Sequence, residues 1–225
     1  MALGAVLFDH DGTLVDSEPA HFLVWKEVLA PYGFALTEQQ YREHYAGVPT
    51  LANACDLVQR FGVAEDPATL AEAKNAATRD YLRRSAFPLL PGVREAIATF
   101  TGLGLRLAVV TGASAFGVDA TLRAHGLASH FAVVVSVDDV RHSKPAPDCY
   151  LLAIERLGLP AAGCIAIEDT EHGVAAAAGA GISCLALPTA MSRHHDFTQA
   201  AAVLDGMDAA VDYVRRLCER ERSNE

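Results

Sequence analysis

The chain has 225 residues, 51% hydrophobic and 20% charged, a composition typical of a globular protein of one or two domains rather than a disordered one. Its formal net charge is -10, which argues against nucleic acid as a partner, because a polyanion binder normally carries a basic face. Its five cysteines are scattered without a CxxC pair, which disfavours a zinc or redox site and indicates free thiols in a reducing cytoplasm.

Short apolar runs alternate with helical patterns along most of the chain. Five continuous apolar runs predict buried strands of a parallel sheet, at residues 5–8, 105–110, 131–135, 164–167 and 182–187. Helices are predicted between the later strands, at residues 92–102, 115–125, 146–157 and 172–180. This alternation predicts an α/β fold, a Rossmann-like doubly wound parallel sheet.

The alternation is interrupted after the first strand. Residues 16–88 show helical periodicity and no convincing strand, with helices predicted at 20–31, 38–46, 50–61 and 67–85. We therefore predict an α/β core domain made of residues 1–15 and 89–225, with an all-helical cap domain inserted at residues 16–88.

The chain offers no targeting or membrane signal. The first apolar run is cut short by Asp9 and no basic region precedes it, which argues against a signal peptide. No apolar run reaches the roughly 18 residues that a membrane span needs. We expect a cytoplasmic monomer without membrane partners.

Polar residues follow the predicted strands at their carboxyl ends, where open α/β sheets bind ligands. In chain order they are Asp9, Asp11 and Gly12; Thr111 and Gly112; Lys144; and Glu168 with Asp169. Each has an ordinary structural interpretation when it is taken alone. Together, at the ends of successive strands, they predict one site.

The two aspartates after the first strand need a partner, since like charges so close repel each other. Asp9 and Asp11 are two residues apart, so an extended backbone would point both to one side and His10 away, into packing. Acids at 9, 11 and 169 suit Mg²⁺, which prefers oxygen ligands. Mg²⁺ is therefore the predicted cofactor.

These residue types also suit phosphoryl transfer. A carboxylate such as Asp9 can attack phosphorus and form an aspartyl-phosphate. Lys144 would keep Asp9 ionised and contact a phosphate oxygen, while the Thr111 hydroxyl and Gly112 amide donate to the others. Asp11 would protonate the leaving alkoxide and later deprotonate water.

Four segments resemble, in order, the four signatures of the haloacid dehalogenase superfamily phosphohydrolases: "FDHDGTLVDSE", "VVTGAS", "SKPAPDCYLLA" and "IEDTEHGVAAAAGAG". The resemblance covers nearly the whole chain, including a helical cap. It implies a site in which residues 9, 11, 111 and 144 are catalytic and residues 9, 11, 168 and 169 bind the metal. Its nucleophile is Asp9, its general acid/base Asp11, its phosphate-binding groups Gly12, Thr111, Gly112 and Lys144, and its acidic pair Glu168 and Asp169.

The resemblance also assigns finer roles to the acids. It implies that Asp169 binds Mg²⁺ more directly than Glu168 and that Asp11 offers the metal its backbone carbonyl. The name-giving dehalogenases lack an aspartate matching Asp11, so its presence argues against dehalogenation.

Within the superfamily the chain resembles the branch of β-phosphoglucomutase and the small sugar-phosphate phosphatases. The similar cap segments are "HFLVWKEVL" (21–29), "YAGVP" (45–49) and "AKN" (73–75). They imply substrate contacts from the cap or hinge at Glu18, His21, Gly47, Thr50 and Lys74. His21 would either assist Asp11 or lie at the domain interface, and Glu18 would either face the active site or cap the helix that Pro19 begins.

One position separates two activities. In the mutases an arginine after the cap loop binds the second phosphate, and Thr50 stands in that place here. We therefore predict hydrolysis of a small phosphomonoester, a sugar or polyol phosphate, with a β-phosphoglucomutase-like isomerase as the alternative. A phosphoglycolate-type phosphatase and a catalytically inactive binding protein are less favoured.

Overall fold

The computed structural model describes residues 2–222, which fall into two compact units. The α/β unit runs up to Asp16 and resumes at Pro88, and the helical unit is Ser17–Phe87. The strands are β1 Ala5–Phe8, β2 Arg106–Val110, β3 Phe131–Val135, β4 Cys164–Glu168, β5 Ser183–Ala186 and β6 Ala202–Val203. The α helices are α1 Glu18–Leu29, α2 Glu38–His44, α3 Thr50–Phe61, α4 Pro67–Arg84, α5 Val93–Gly102, α6 Ala115–Ala124, α7 Asp148–Leu157, α8 Glu171–Gly179 and α9 Met207–Arg222.

The α/β unit is built on one parallel six-stranded sheet, ordered β3-β2-β1-β4-β5-β6. In the central strands Phe8 pairs with Val109 on one side and Ile167 on the other. Strand β1 is fully buried because helices cover both faces, so its sequence is continuously apolar. The predicted fold class is confirmed.

One strand and one α helix of this unit were not predicted. Strand β6 has two residues and pairs with β5, where Leu185 lies opposite Ala202. Helix α9 packs against α5, and the Arg215 guanidinium donates to the Thr99 hydroxyl over 3.4 Å.

The helical unit packs α1 to α4 around its own apolar core. Trp25, Leu29, Tyr45, Leu57 and Leu70 are all at most 1% exposed. The unit is one residue shorter at each end than the predicted insert of 16–88. Asp16 and Pro88 belong to the α/β unit instead, since the Asp16 N–H donates to the Pro88 carbonyl over 2.9 Å.

Candidate active site

The ends of three adjacent strands place the main polar residues of the α/β unit. Asp9 directly follows β1, and its N–H donates to the Ile167 carbonyl over 3.0 Å. Thr111 directly follows β2, and its N–H donates to the Val135 carbonyl over 2.9 Å. Glu168 is the last residue of β4. The ladder hydrogen bonds thus fix these backbones at one edge of the sheet.

Lys144, in the segment between β3 and α7, joins the strand ends. Its Nζ donates to Asp9 Oδ1 over 2.6 Å, to Glu168 Oε1 over 2.6 Å and to the Val110 carbonyl over 2.8 Å. Burial alone would lower the pKa of Lys144, but the carboxylates of Asp9 and Glu168 raise the pKa above its ordinary value. Lys144 therefore remains charged and holds the two carboxylates together.

Glu168 is a fully buried carboxylate held by more than the lysine. The Tyr150 hydroxyl, on α7, donates to Glu168 Oε1 over 2.6 Å. Burial raises the pKa of Glu168 to about 7, although Lys144 opposes that shift. The carboxylate also lies against Gly173 of α8, where an added Cβ would come within 1.9 Å of Oε2. Sequence reasoning assigned no role to Tyr150 or Gly173.

Three acids form a group suited to a cation. Carboxylate oxygens of Asp9, Glu168 and Asp169 lie within 4.8 Å of one another, and all three residues are buried. Burial and the Asp9 charge raise the pKa of Asp169 well above its ordinary value. Within residues 2–222, Glu168 Oε2 and Asp169 Oδ1 are buried without a hydrogen-bond partner. Such hard oxygen donors fit Mg²⁺.

Gly12 lies against this group. Its φ of +80° is in the left-handed region, and an added Cβ would lie 2.2 Å from Asp169 Oδ2. Only glycine allows the turn after β1 to approach Asp169 so closely. Gly12 is thus placed beside the acids, where the sequence had predicted a phosphate-binding role.

Asp11 and His10 depart from the predicted alternation. The Asp11 side chain is 29% exposed and is not a member of the group of three acids. His10 is fully buried, as predicted, but it does not point away from both aspartates, since its Nδ1 lies 3.3 Å from Asp11 Oδ2. The alternation fails because β1 ends at Phe8 and the chain turns, with the Leu14 N–H donating to the His10 carbonyl over 2.9 Å.

Thr111 and Gly112 lie at the end of β2. Thr111 is buried, and its Oγ1 accepts from the Ala113 N–H over 3.0 Å, which leaves the hydroxyl proton to be donated elsewhere. An alanine at Gly112 would come no nearer than 3.4 Å to Ser143 Oγ. Both residues thus directly follow β2, which ends at Val110, and their phosphate-binding role stays a prediction.

In the helical unit, Glu18 ties together three segments. It is the first residue of α1, its Oε1 accepts from the Gly47 N–H over 2.9 Å, and its Oε2 accepts from the Tyr41 hydroxyl. Its carboxylate thus holds the loop after α2 to the start of α1.

Lys74 is the centre of a second group in the helical unit. It is 6% exposed, and its Nζ lies 3.4 Å from both His21 Nδ1 and Thr50 Oγ1. The five predicted cap residues thus fall into two groups, Glu18 with Gly47 and Lys74 with His21 and Thr50.

Comparison with known proteins places this arrangement in a family. Residues 3–181 match the family of haloacid dehalogenase-like hydrolases. The chain belongs to this family. It is 34% identical over 218 residues to the protein CbbY of Rhodobacter capsulatus, an alignment covering 93% of this chain and 96% of that protein. It is 36% identical over 180 residues to the fructose-1-phosphate phosphatase YqaB of Escherichia coli, covering 80% of this chain and 94% of that protein.

A solved structure shows the same fold. The crystal structure of CbbY from Rhodobacter sphaeroides in complex with phosphate has a TM-score of 0.80 to this chain at 30% identity, covering 93% of this chain and 99% of that one. The family match over residues 3–181 confirms the resemblance of the four segments. As a haloacid dehalogenase-like hydrolase, the chain is an enzyme. Among the helices that the structure describes, none has the length and apolar character needed to cross a membrane.

Proposed function

We propose that this chain is a Mg²⁺-dependent phosphatase that hydrolyses a small phosphomonoester through an aspartyl-phosphate on Asp9. The observation that carries the proposal is the ion pair between Asp9 and Lys144 at the end of β1. The Lys144 ammonium lies 2.6 Å from Asp9 Oδ1, and both side chains are at most 10% exposed, so a fixed positive charge stands beside the carboxylate that would attack phosphorus.

In the proposed first step, a carboxylate oxygen of Asp9 attacks phosphorus and the bond between phosphorus and the ester oxygen breaks. Asp11 gives its proton to the departing oxygen, so an alcohol leaves and Asp11 becomes a carboxylate. Lys144 and the Thr111 hydroxyl donate to the phosphoryl oxygens as charge develops on them. Gly112 contributes its backbone N–H to the same oxygens.

In the second step, water attacks the phosphorus of the aspartyl-phosphate. Asp11 takes a proton from the water, the bond between phosphorus and the Asp9 oxygen breaks, and inorganic phosphate is released. Asp9 returns as a carboxylate paired with Lys144, and Asp11 has regained the proton that it gave in the first step. The cycle thus consumes one ester and one water.

The residues that would hold Mg²⁺ are Asp9 and Asp169, with the backbone carbonyl of Asp11. Glu168 belongs to the same group of acids, but its Oε1 already accepts from Lys144 and Tyr150. We assign it the role of fixing Lys144, with a weaker contribution to the metal. When bound, Mg²⁺ would neutralise the crowded carboxylates and the incoming phosphoryl group.

The proposed substrate is a sugar or polyol phosphate. The names of YqaB and of the phosphate complex of CbbY support this class, since one relative is a fructose-1-phosphate phosphatase and the other binds phosphate. We propose that Lys74, with Thr50 and His21 beside it, binds polar or anionic groups of the substrate. Glu18 is proposed to hold the loop at Gly47 in place.

The isomerase alternative requires a fixed positive charge for a second phosphate. Arginine meets that need best because its planar fork binds phosphate with two hydrogen bonds. Thr50 offers only a hydroxyl, although the Lys74 ammonium lies 3.4 Å from it. Lysine is a single point charge, so we favour water over a second sugar phosphate as the group that attacks the aspartyl-phosphate.

Product analysis tests the proposal. The purified protein with Mg²⁺ is given fructose 1-phosphate, glycerol phosphate and β-glucose 1-phosphate, the last with and without glucose 1,6-bisphosphate. We expect inorganic phosphate from at least one of these esters and no need for the bisphosphate. Glucose 6-phosphate formed faster than free phosphate would identify a mutase, and no reaction after Mg²⁺ addition would contradict both activities.

A further inference from the structure

The fully buried imidazole of His10 has no part in the chemistry above, although in the sequence His10 stands between the two aspartates that act in it. Its Nδ1 is 3.3 Å from Asp11 Oδ2. In the described part of the chain neither ring nitrogen of His10 makes a well-directed hydrogen bond. Burying a polar ring without a partner is unfavourable, so the nearby carboxylate is the group that can compensate for it.

The backbone around His10 fixes where its ring can lie. The N–H groups of Leu14 and Val15 both donate to the His10 carbonyl, over 2.9 and 3.0 Å. The turn after β1 is thereby closed on His10 itself. Asp11, by contrast, has a side chain that is 29% exposed, so its carboxylate is less enclosed than the buried ring.

We propose that His10 is a positioning residue for Asp11, an inference that rests on the proposed role of Asp11 as general acid. A proton on Nδ1 points toward Asp11 Oδ2, and a small rotation of the carboxyl group turns the 3.3 Å contact into a hydrogen bond. The imidazole then holds the carboxyl group in one orientation during proton transfer. A general acid that is already oriented loses less conformational entropy on reaching the transition state, so the barrier to proton transfer is lower.

The proton balance does not involve the ring. The Asp11 proton goes to the ester oxygen, which also keeps the electron pair of the broken phosphorus–oxygen bond. His10 neither gains nor loses a proton in this step. Its effect should therefore depend on how much the leaving group needs the Asp11 proton.

Two esters of nearly equal size measure that dependence. The p-nitrophenolate of p-nitrophenyl phosphate leaves with little help from an acid, whereas the phenolate of phenyl phosphate needs more. For His10→Leu, we expect kcat/KM to fall about 10- to 100-fold with phenyl phosphate and less than about threefold with p-nitrophenyl phosphate. A purely structural role of His10 would lower both values by the same factor.

Two amides serve as matched variants. His10→Asn places an amide where Nδ1 is, so we expect it to keep the wild-type ratio of the two kcat/KM values. His10→Gln places the amide where Nε2 is, so it should behave like His10→Leu. Equal losses on both esters, or no difference between the Asn and Gln variants, would overturn the inference while leaving the proposed function intact.

A measurement on the wild-type protein does not depend on any variant folding. With ¹⁵N-labelled histidine, NMR reports which ring nitrogen carries the proton in neutral His10, and we expect Nδ1. The Nε2-protonated form would overturn the inference. Wild-type protein that releases phosphate neither from these two esters nor from the sugar and polyol phosphates named above would instead overturn the proposed function, and the inference with it.

Discussion

Replacing Gly173 with alanine is expected to destabilise the protein and to reduce its activity, against the usual trend for helices. Gly173 is the third residue of α8, and alanine is favoured over glycine in a helix by about 1 kcal/mol. Here the added Cβ would lie 1.9 Å from Glu168 Oε2 and 2.4 Å from Oε1. The Glu168 carboxylate must therefore move.

The cost of that movement follows from what Glu168 holds. Its Oε1 accepts from the Lys144 ammonium and from the Tyr150 hydroxyl, each over 2.6 Å. Hydrogen bonds to charged groups contribute about 1.5–3 kcal/mol each, so losing both outweighs the gain in helix propensity. We expect the free energy of unfolding to fall by about 2–5 kcal/mol and the melting temperature by about 5–15 °C.

A matched control lies at the other end of the same helix. An added Cβ at Gly179 would meet nothing nearer than Pro147 Cβ at 3.4 Å, so Gly179→Ala should leave stability and activity close to wild type. The assays are thermal unfolding and phosphate release for both variants. If Gly173→Ala is as stable and as active as Gly179→Ala, Glu168 does not occupy the position described, and the reasoning is refuted.

The remaining predictions concern Glu168, Tyr150 and Thr50. Burial raises the pKa of Glu168 from 4.5 to about 7, so between these pH values the native state holds a proton that the unfolded state has lost. The free energy of unfolding of the metal-free protein should therefore fall by up to about 3 kcal/mol as the pH rises from 4.5 to about 7. Mg²⁺ should therefore stabilise the protein more at about pH 7.5 than at about pH 5. The measurement is the free energy of urea unfolding with Mg²⁺ and with chelator at both pH values. An increase by Mg²⁺ that is the same at both would contradict this prediction. Tyr150→Phe removes a hydrogen-bond donor to Glu168 and should lower the free energy of unfolding by about 1.5–3 kcal/mol. The control Tyr32→Phe removes an exposed hydrogen bond to Glu65 and should change this free energy by less than about 0.5 kcal/mol. Equal changes in the two variants would show that the buried hydrogen bond stabilises the protein no more than the exposed one. Thr50→Arg should increase binding of a second phosphate about 10- to 100-fold and raise the ratio of glucose 6-phosphate to free phosphate formed from β-glucose 1-phosphate, and an unchanged ratio would count against a substrate-binding role for this position.

Much of the fold was predictable because the strands of a covered parallel sheet are short, continuous apolar runs. Polar residues directly after those runs then had to lie at one edge of the sheet, so the sequence alone sufficed to place Asp9, Thr111 and Asp169 at that edge. Helix α9 was overlooked although its buried residues, Met207, Ala210, Val211, Val214 and Cys218, follow helical spacing. Strand β6 has only two residues, and the apolar run around it, residues 200–204, is mostly alanine, which does not favour a strand over a helix.

The surroundings of Glu168 and Asp11 were not predictable in the same way. Tyr150 lies 18 residues before Glu168 and approaches it only because α7 packs on the sheet, so sequence spacing does not reveal the contact. The predicted direction of the His10 side chain was wrong for a different reason. Alternation of side chains holds only along an extended strand, and β1 ends at Phe8, before His10.

The central claim is that Asp9 becomes covalently phosphorylated, and borohydride trapping tests it most directly. Borohydride reduces an aspartyl-phosphate to homoserine, which mass spectrometry locates in the peptide containing residue 9. The enzyme quenched during turnover should carry homoserine at position 9, and Asp9→Asn should carry none and release no phosphate. Phosphate release without homoserine at position 9, or with homoserine at another aspartate, would contradict the account.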